Sequence, residues 1–157
     1  MIGPELLGRL YDDHAPALRL YARQFGGMGS AEDAVQEAFL GLARRRSLPE
    51  RVVPWLFRVV RNARLAADRA DRRRRGREAR ASAPEGWFDP ESDSDRLDAG
   101  DAARRLASLP AEVREAVVAR IWGELTFEEI AALQGCSTAT AHRRHLAGIA
   151  RLQETFA

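Results

Sequence analysis

The chain has 157 residues, 45% of them hydrophobic, a formal net charge of +2 and one cysteine, Cys136. That is length for one ordinary domain or two small ones, with no run of about 18 apolar residues to span a bilayer and no basic-then-apolar start to mark a secretory signal. A lone cysteine excludes an internal disulfide, and a cytoplasmic protein is expected.

The first segment, "PELLGRLYDDHAPALRLYARQF", reads as a helix with a break expected at Pro16 and an end at the "GGMG" turn. In "SAEDAVQEAFLGLARRR", Ser30 suits an N-cap with Asp33 at the capping-box position, and Val35, Ala38, Phe39 and Leu42 recur at helical spacing. Glu32 and Asp33 stand at the positive end of that helix dipole and Arg44 to Arg46 at the negative end. "WLFRVVRNARLAADRADRRRR" follows, with Pro54 in its first turn. All 25 basic residues of the chain are arginine. A GC-rich genome explains such a bias, which equally suits phosphate and base contacts, where the guanidinium fork pairs bidentately. Seven of the arginines fall between Arg69 and Arg80.

From about Gly76 to Gly100 periodicity is lost among prolines, serines and acids, and a flexible linker over residues 79–103 is expected between two helical modules. The basic block before it and the acidic tract from Glu91 to Asp101 sit on one tether. Two readings stand equally: a loose cover over the basic end, or a solvated spacer. In the second module, "SLPAEVREAVVARIWG" has Ser108 as a cap, Pro110 in the first turn and Gly123 as a stop. "TFEEIAALQGCSTATAHRRHLAGIARL" then splits into two short helices. Thr126 and Glu129 form a capping box, Phe127, Ile130, Ala131 and Leu133 an apolar face, Gly135 a left-handed turn, and Ser137 the cap of the last helix. No strand pattern appears, so the fold class is all-α, with two small helical domains.

A Gly-containing turn between two short helices matches a helix-turn-helix, whose second helix enters the major groove. Its front here, Ser137, Thr138, Thr140, His142, Arg143 and Arg144, is hydrogen-bonding or cationic. An ordinary helical hairpin with a solvated arginine face is the plain alternative. Cys136, His142 and His145 follow no standard zinc spacing, and no catalytic constellation or cofactor motif is present. Neither an enzyme nor a metal or cofactor protein is expected.

Both halves together resemble the bacterial extracytoplasmic-function (group 4) sigma factors of the sigma-70 family. "SAEDAVQEAFLGLARR" with "WLFRVVRNARLAADRADRR" is similar to region 2, and "LPAEVREAVVARIWGELTFEEIAALQGCSTATAHRR" to region 4. The resemblance implies a transcription initiation factor. Region 2, residues 4–78, would bind the β′ coiled coil of core RNA polymerase through Asp33, Gln36, Glu37 and Phe39. It would also contact the −10 element through Trp55, Arg58, Arg61, Asn62 and Arg64. Region 4, residues 104–156, would bind the β flap and read the −35 element of promoter DNA. A separate anti-sigma factor is a further implied partner, and no membrane is involved. The alternative is a helix-turn-helix regulator that does not engage polymerase. The chain departs from the family where His145 replaces a usual Leu or Ile and Ala147-Gly148 an Arg-Ala pair. Gly148 inside a helix is expected to cost about 1 kcal/mol, with Leu146 taking over the packing by a shift of register.

Overall fold

Apolar residues spaced three and four apart build a three-helix core in the first half of the chain. The computed structural model describes residues 2–25, 30–75 and 104–154. The chain divides into two compact units, Met1–Ala79 and Arg80–Ala157. Among the described residues the regular structure is all helical. The expected linker and both charge blocks beyond Arg75 lie outside the described residues.

The first unit holds α1 (Pro4–Ala22), α2 (Ala31–Ala43) and α3 (Val52–Arg75), each packed on the other two. Leu18 and Tyr21, Val35, Ala38 and Leu42, and Leu56, Phe57 and Val60 meet in a fully buried core. Tyr21 lies at its centre, 4.8 Å from the Phe57 ring and 5.4 Å from Phe25; such aromatic pairs add about 0.5–1.5 kcal/mol each beyond area burial. The break expected at Pro16 does not occur, and α1 runs through it. Pro16 is on the exposed side, so the carbonyl one turn back that loses its helical N–H partner is on the solvent side of the helix. Ser30 caps α2, its Oγ accepting from the N–H groups of Glu32 and Asp33 at 3.1 and 3.4 Å. Glu32 then ties α2 to α1. Its carboxylate accepts from Tyr11 Oη at 3.0 Å and from Arg19 Nε at 2.6 Å.

The described part of the second unit begins with a helical turn at residues 104–107 and continues with α4 (Ala111–Ile121), α5 (Phe127–Gln134) and α6 (Thr138–Glu154). Leu106, Leu109, Val117, Leu125, Ile130 and Ala141 form its core. Ser108 does not cap α4. Its hydroxyl donates to the Arg105 carbonyl at 2.6 Å, closing the preceding turn, and Pro110 takes the N-cap position without a side-chain bond. Gly123 stops α4 as expected, its N–H returning to the Val118 carbonyl at 3.3 Å. The left-handed residue, however, is Glu124 at φ 55°, a conformation that costs a side-chain-bearing residue about 1–2 kcal/mol.

Gly148 is the largest departure from the sequence-based expectation. A Cβ there would stand 2.5 Å from Val117 Cγ2 and 3.0 Å from Val113 Cγ1. The glycine is what allows α6 to cross α4 at close range, and its poor helix propensity is offset by that contact. No register shift occurs: Leu146 is 51% exposed.

Candidate nucleic-acid and protein interfaces

The hairpin of α5 and α6 is built by local hydrogen bonds. Thr126 Oγ1 accepts from the Glu129 N–H at 3.1 Å, and the Glu129 carboxylate accepts from the Thr126 N–H at 2.8 Å. This reciprocal box starts α5. Gly135, at φ 67°, ends it in the left-handed region. Ser137 Oγ accepts from the Thr140 N–H at 3.1 Å and starts α6. The Ser137 hydroxyl also donates to Thr140 Oγ1 at 3.0 Å.

This start leaves Ser137, Thr138, His142 and Arg143 exposed and Thr140 and Arg144 half-buried. The six residues picked out in the sequence therefore gather at one end of one helix, but not in equal roles. Arg143 Nη2 donates to Thr140 Oγ1 at 3.0 Å. Arg144 Nη1 donates to Gln134 Oε1 at 2.9 Å and lies 3.6 Å from Cys136 Sγ. His142 leans its ring on Phe127, centroids 4.8 Å apart, with His145 5.4 Å from the same ring. The Arg120 guanidinium lies 4.6 Å from the Phe127 centroid. His145 Nδ1 is buried without a hydrogen-bond partner. Its pKa falls below the ordinary 6.5, first through desolvation and then through the Arg120 and His142 charges. The far end of this cluster is thus packing, and the front end is a cationic, hydroxyl-rich surface at the positive end of a helix dipole. Such a surface suits a polyanion.

In the first unit the side chains along one stripe of α2 open onto a groove against α3. Asp33, Gln36, Glu37, Leu40, Gly41 and Arg44 line it from α2, and Trp55 and Val59 from α3. Leu40 is 56% exposed. Sequence reasoning missed Leu40, Arg44 and Val59. The available signal was that Leu40 and Arg44 continue the helical row of Gln36 at intervals of four.

Phe39 does not belong to this surface. It is buried and packs edge-on against Tyr11 at 5.0 Å, so it anchors α2 on α1 from the opposite face. Trp55 joins the groove: its ring covers Gly41, where an added Cβ would meet Trp55 Cη2 at 3.5 Å, and Arg45 lies 5.5 Å from the ring centroid. Arg58 and Asn62 are exposed on α3, while Arg61 is half-buried with its guanidinium 5.9 Å from the Phe25 ring. Arg64, expected to contact DNA, is buried instead. Its Nε donates to the Ala22 carbonyl at 3.2 Å and its Nη2 to the Phe25 carbonyl at 3.0 Å. It satisfies the carbonyls that the end of α1 leaves over. Burial lowers its pKa, opposed by Asp68 one turn on, and arginine remains cationic under such a shift.

Among the described residues no group of three or more His, Cys, Asp and Glu side chains is placed to hold a metal, and no helix is long and apolar enough to cross a membrane.

Comparison with known proteins matches residues 10–76 to the family model of Sigma-70 region 2 and residues 100–152 to that of Sigma-70, region 4. The chain is 34% identical over 155 residues to RNA polymerase sigma factor CarQ of Myxococcus xanthus, covering 92% of this chain and 86% of CarQ. It is 27% identical over 158 residues to ECF RNA polymerase sigma factor RpoE of Cereibacter sphaeroides, covering 92% and 83%. Among solved structures, the sigma factor RpoE from Bartonella quintana, in complex with the anti-sigma factor NepR, aligns at a TM-score of 0.72 and 25% identity over 97% of this chain and 96% of that one. CnrH, in complex with the cytosolic domain of CnrY, aligns at a TM-score of 0.63 and 25% identity, covering 98% and 89%.

Proposed function

We propose a division of labour between the two units of this chain, which belongs to the sigma-70 family as an extracytoplasmic-function sigma factor. The protein binds core RNA polymerase and directs promoter-specific transcription initiation through the −10 and −35 elements. The family is not one of enzymes, and no residue here is assigned a catalytic role. The finer reading places the chain in group 4 and in the cytoplasm. It gives residues 4–78 to the β′ coiled coil and the −10 element, and residues 104–156 to the β flap and the −35 element, with residues 79–103 as the linker.

Within that reading, Asp33, Gln36, Glu37 and Leu40 meet the polymerase, with Trp55 closing the groove behind them. Arg58, Arg61 and Asn62 support the −10 strands, where cationic side chains track a freed backbone. Ser137, Thr138, Thr140, His142, Arg143 and Arg144 serve the −35 element. The observation that carries the reading is one chain's possession of two unlike open surfaces. One is a groove rimmed by Asp33, Gln36 and Glu37 around exposed Leu40; the other is the arginine and hydroxyl front of α6. A regulator that ignores polymerase would leave the first surface without an occupant. A separate anti-sigma factor would act by covering one or both.

Reconstitution with core polymerase tests the assignment. The Gln36→Arg/Glu37→Arg variant is expected to lose core binding in a pull-down and promoter-dependent transcription with it, while helicity by circular dichroism is kept, because both side chains are exposed. Full core binding by that variant would remove α2 from the interface.

A further inference from the structure

The adjacent arginines of α6 are held in different ways. Arg143 is exposed, and its guanidinium bonds locally, to Thr140 one turn back toward the helix start. Arg144 is half-buried and reaches off its helix. It donates to Gln134 Oε1 at 2.9 Å across the Gly135 turn, with Cys136 Sγ 3.6 Å away. Gln134 in turn donates its Nε2 to the Glu112 carbonyl of α4 at 2.9 Å. One guanidinium is therefore tied through a single amide to both helices that flank α6.

Bidentate recognition of guanine needs two N–H groups presented together on a side chain that can extend into the groove. Arg143 meets both conditions on giving up one solvent-exposed bond to Thr140 on its own helix. Arg144 does not, since its fork is held off its own helix by Gln134, which is itself bonded to α4, and the side chain is half-buried. What remains to Arg144 is a fixed positive charge with spare N–H groups at the rim of the hairpin, which suits a phosphate at the edge of the groove. We infer that Arg143 reads a base and Arg144 grips the DNA backbone, with Gln134 as the positioning residue that assigns Arg144 its task. The inference rests on the reading that α6 enters the major groove at the −35 element.

Lysine substitution separates the two roles, because lysine keeps a point charge and loses the planar fork. The assay uses holoenzyme assembled from the full chain and core polymerase, with a pool of promoter duplexes randomised over the upstream element. R143K is expected to lose the preference at one base pair, by about 5- to 150-fold there. R144K is expected to keep every base preference. R144A should weaken all duplexes alike and lower the slope of log affinity against log salt by about 1. Q134A should also weaken all duplexes alike and add nothing in an R144A background.

A changed base preference in R144K, or a Q134A effect that persists undiminished in the R144A background, overturns the inference while leaving α6 in the groove. Wild-type affinity and preference in both R143A and R144A would remove α6 from the groove, and the inference with it. Thermal melting monitors the fold of each variant. The two lysine variants leave Gln134 in place and decide between the roles even if Q134A melts early.

Discussion

Helices α3 and α6 each close their unit, and both carry several arginines, yet they make their crossings in opposite ways. α3 enters its core with bulk: Leu56, Phe57 and Val60 are fully buried and the Arg64 side chain follows them in. α6 enters by omission, and its buried residues are Ala141 and Gly148. The first crossing is sensitive to removed atoms, the second to added ones. The same contrast governs the arginines. α3 commits Arg64 to the carbonyls at the end of α1, whereas α6 keeps Arg143 at its exposed front. Residue type alone does not separate a structural arginine from a recognition arginine; the side of the helix that meets a neighbour does.

The contrast is broken most severely at Phe57. Phe57→Ala empties space beside Tyr21 and is expected to cost the first unit about 3–5 kcal/mol. Hydrogen exchange should show protection lost in α1–α3 and kept in α4–α6. Arg64→Ala comes next. It takes the guanidinium donors from the Ala22 and Phe25 carbonyls, of which Ala22 keeps the Phe25 N–H at 3.4 Å, at a cost of about 1–3 kcal/mol, seen as a lowered melting temperature with faster exchange near the end of α1. An unchanged melt would mean that water reaches those carbonyls.

At Gly148 the opposite change is the damaging one. Alanine gains about 1 kcal/mol of helix propensity, but overpacking costs typically about 1–3 kcal/mol. With Val117 Cγ2 at 2.5 Å from the new Cβ, we expect Gly148→Ala to destabilise the second unit by about 1 kcal/mol. A raised melting temperature would show that the crossing has slack. The smallest effect is that of pH. The His145 pKa is lowered in the folded chain, so above the ordinary value the imidazole is neutral in both states and its contribution to stability is fully present. As pH falls through that value the unfolded chain takes the proton first, and stability declines until the folded-state pKa is reached. The melting temperature of the second unit should fall with acidification below about pH 6.5, and His145→Leu should flatten that dependence.

What was legible in the sequence was whatever lies within one turn of its cause. Ser30, Thr126 with Glu129, Gly135 and Ser137 each act on backbone three residues away or less, and each does in the structure what its residue type implies. Ser108 fails the same reasoning because its hydroxyl turns back to Arg105, a competing local bond that residue type does not rank. The core of α2 was readable from its period, but Phe39 and Leu40 are neighbours in sequence on opposite sides of the helix, one on Tyr11 and the other open. Which side faces another helix depends on the bundle, and so do the fates of Arg64 and Trp55. Gly148 was misjudged for the same reason. Its propensity is local, and the valines that require it are more than 30 residues earlier in the chain.

That crossing also constrains how the chain can vary over evolution. Positions 148, 117 and 113 share one volume, since a Cβ at the first meets branched side chains at the other two. A relative with alanine or serine at 148 can retain the same helix approach only if a smaller residue stands at 117 or 113. The three positions should therefore change together, although more than 30 residues separate the first from the others. Val117→Ala should then convert Gly148→Ala from a loss into a tolerated or favourable change, which a double-mutant cycle on the melting of the second unit would register as coupling.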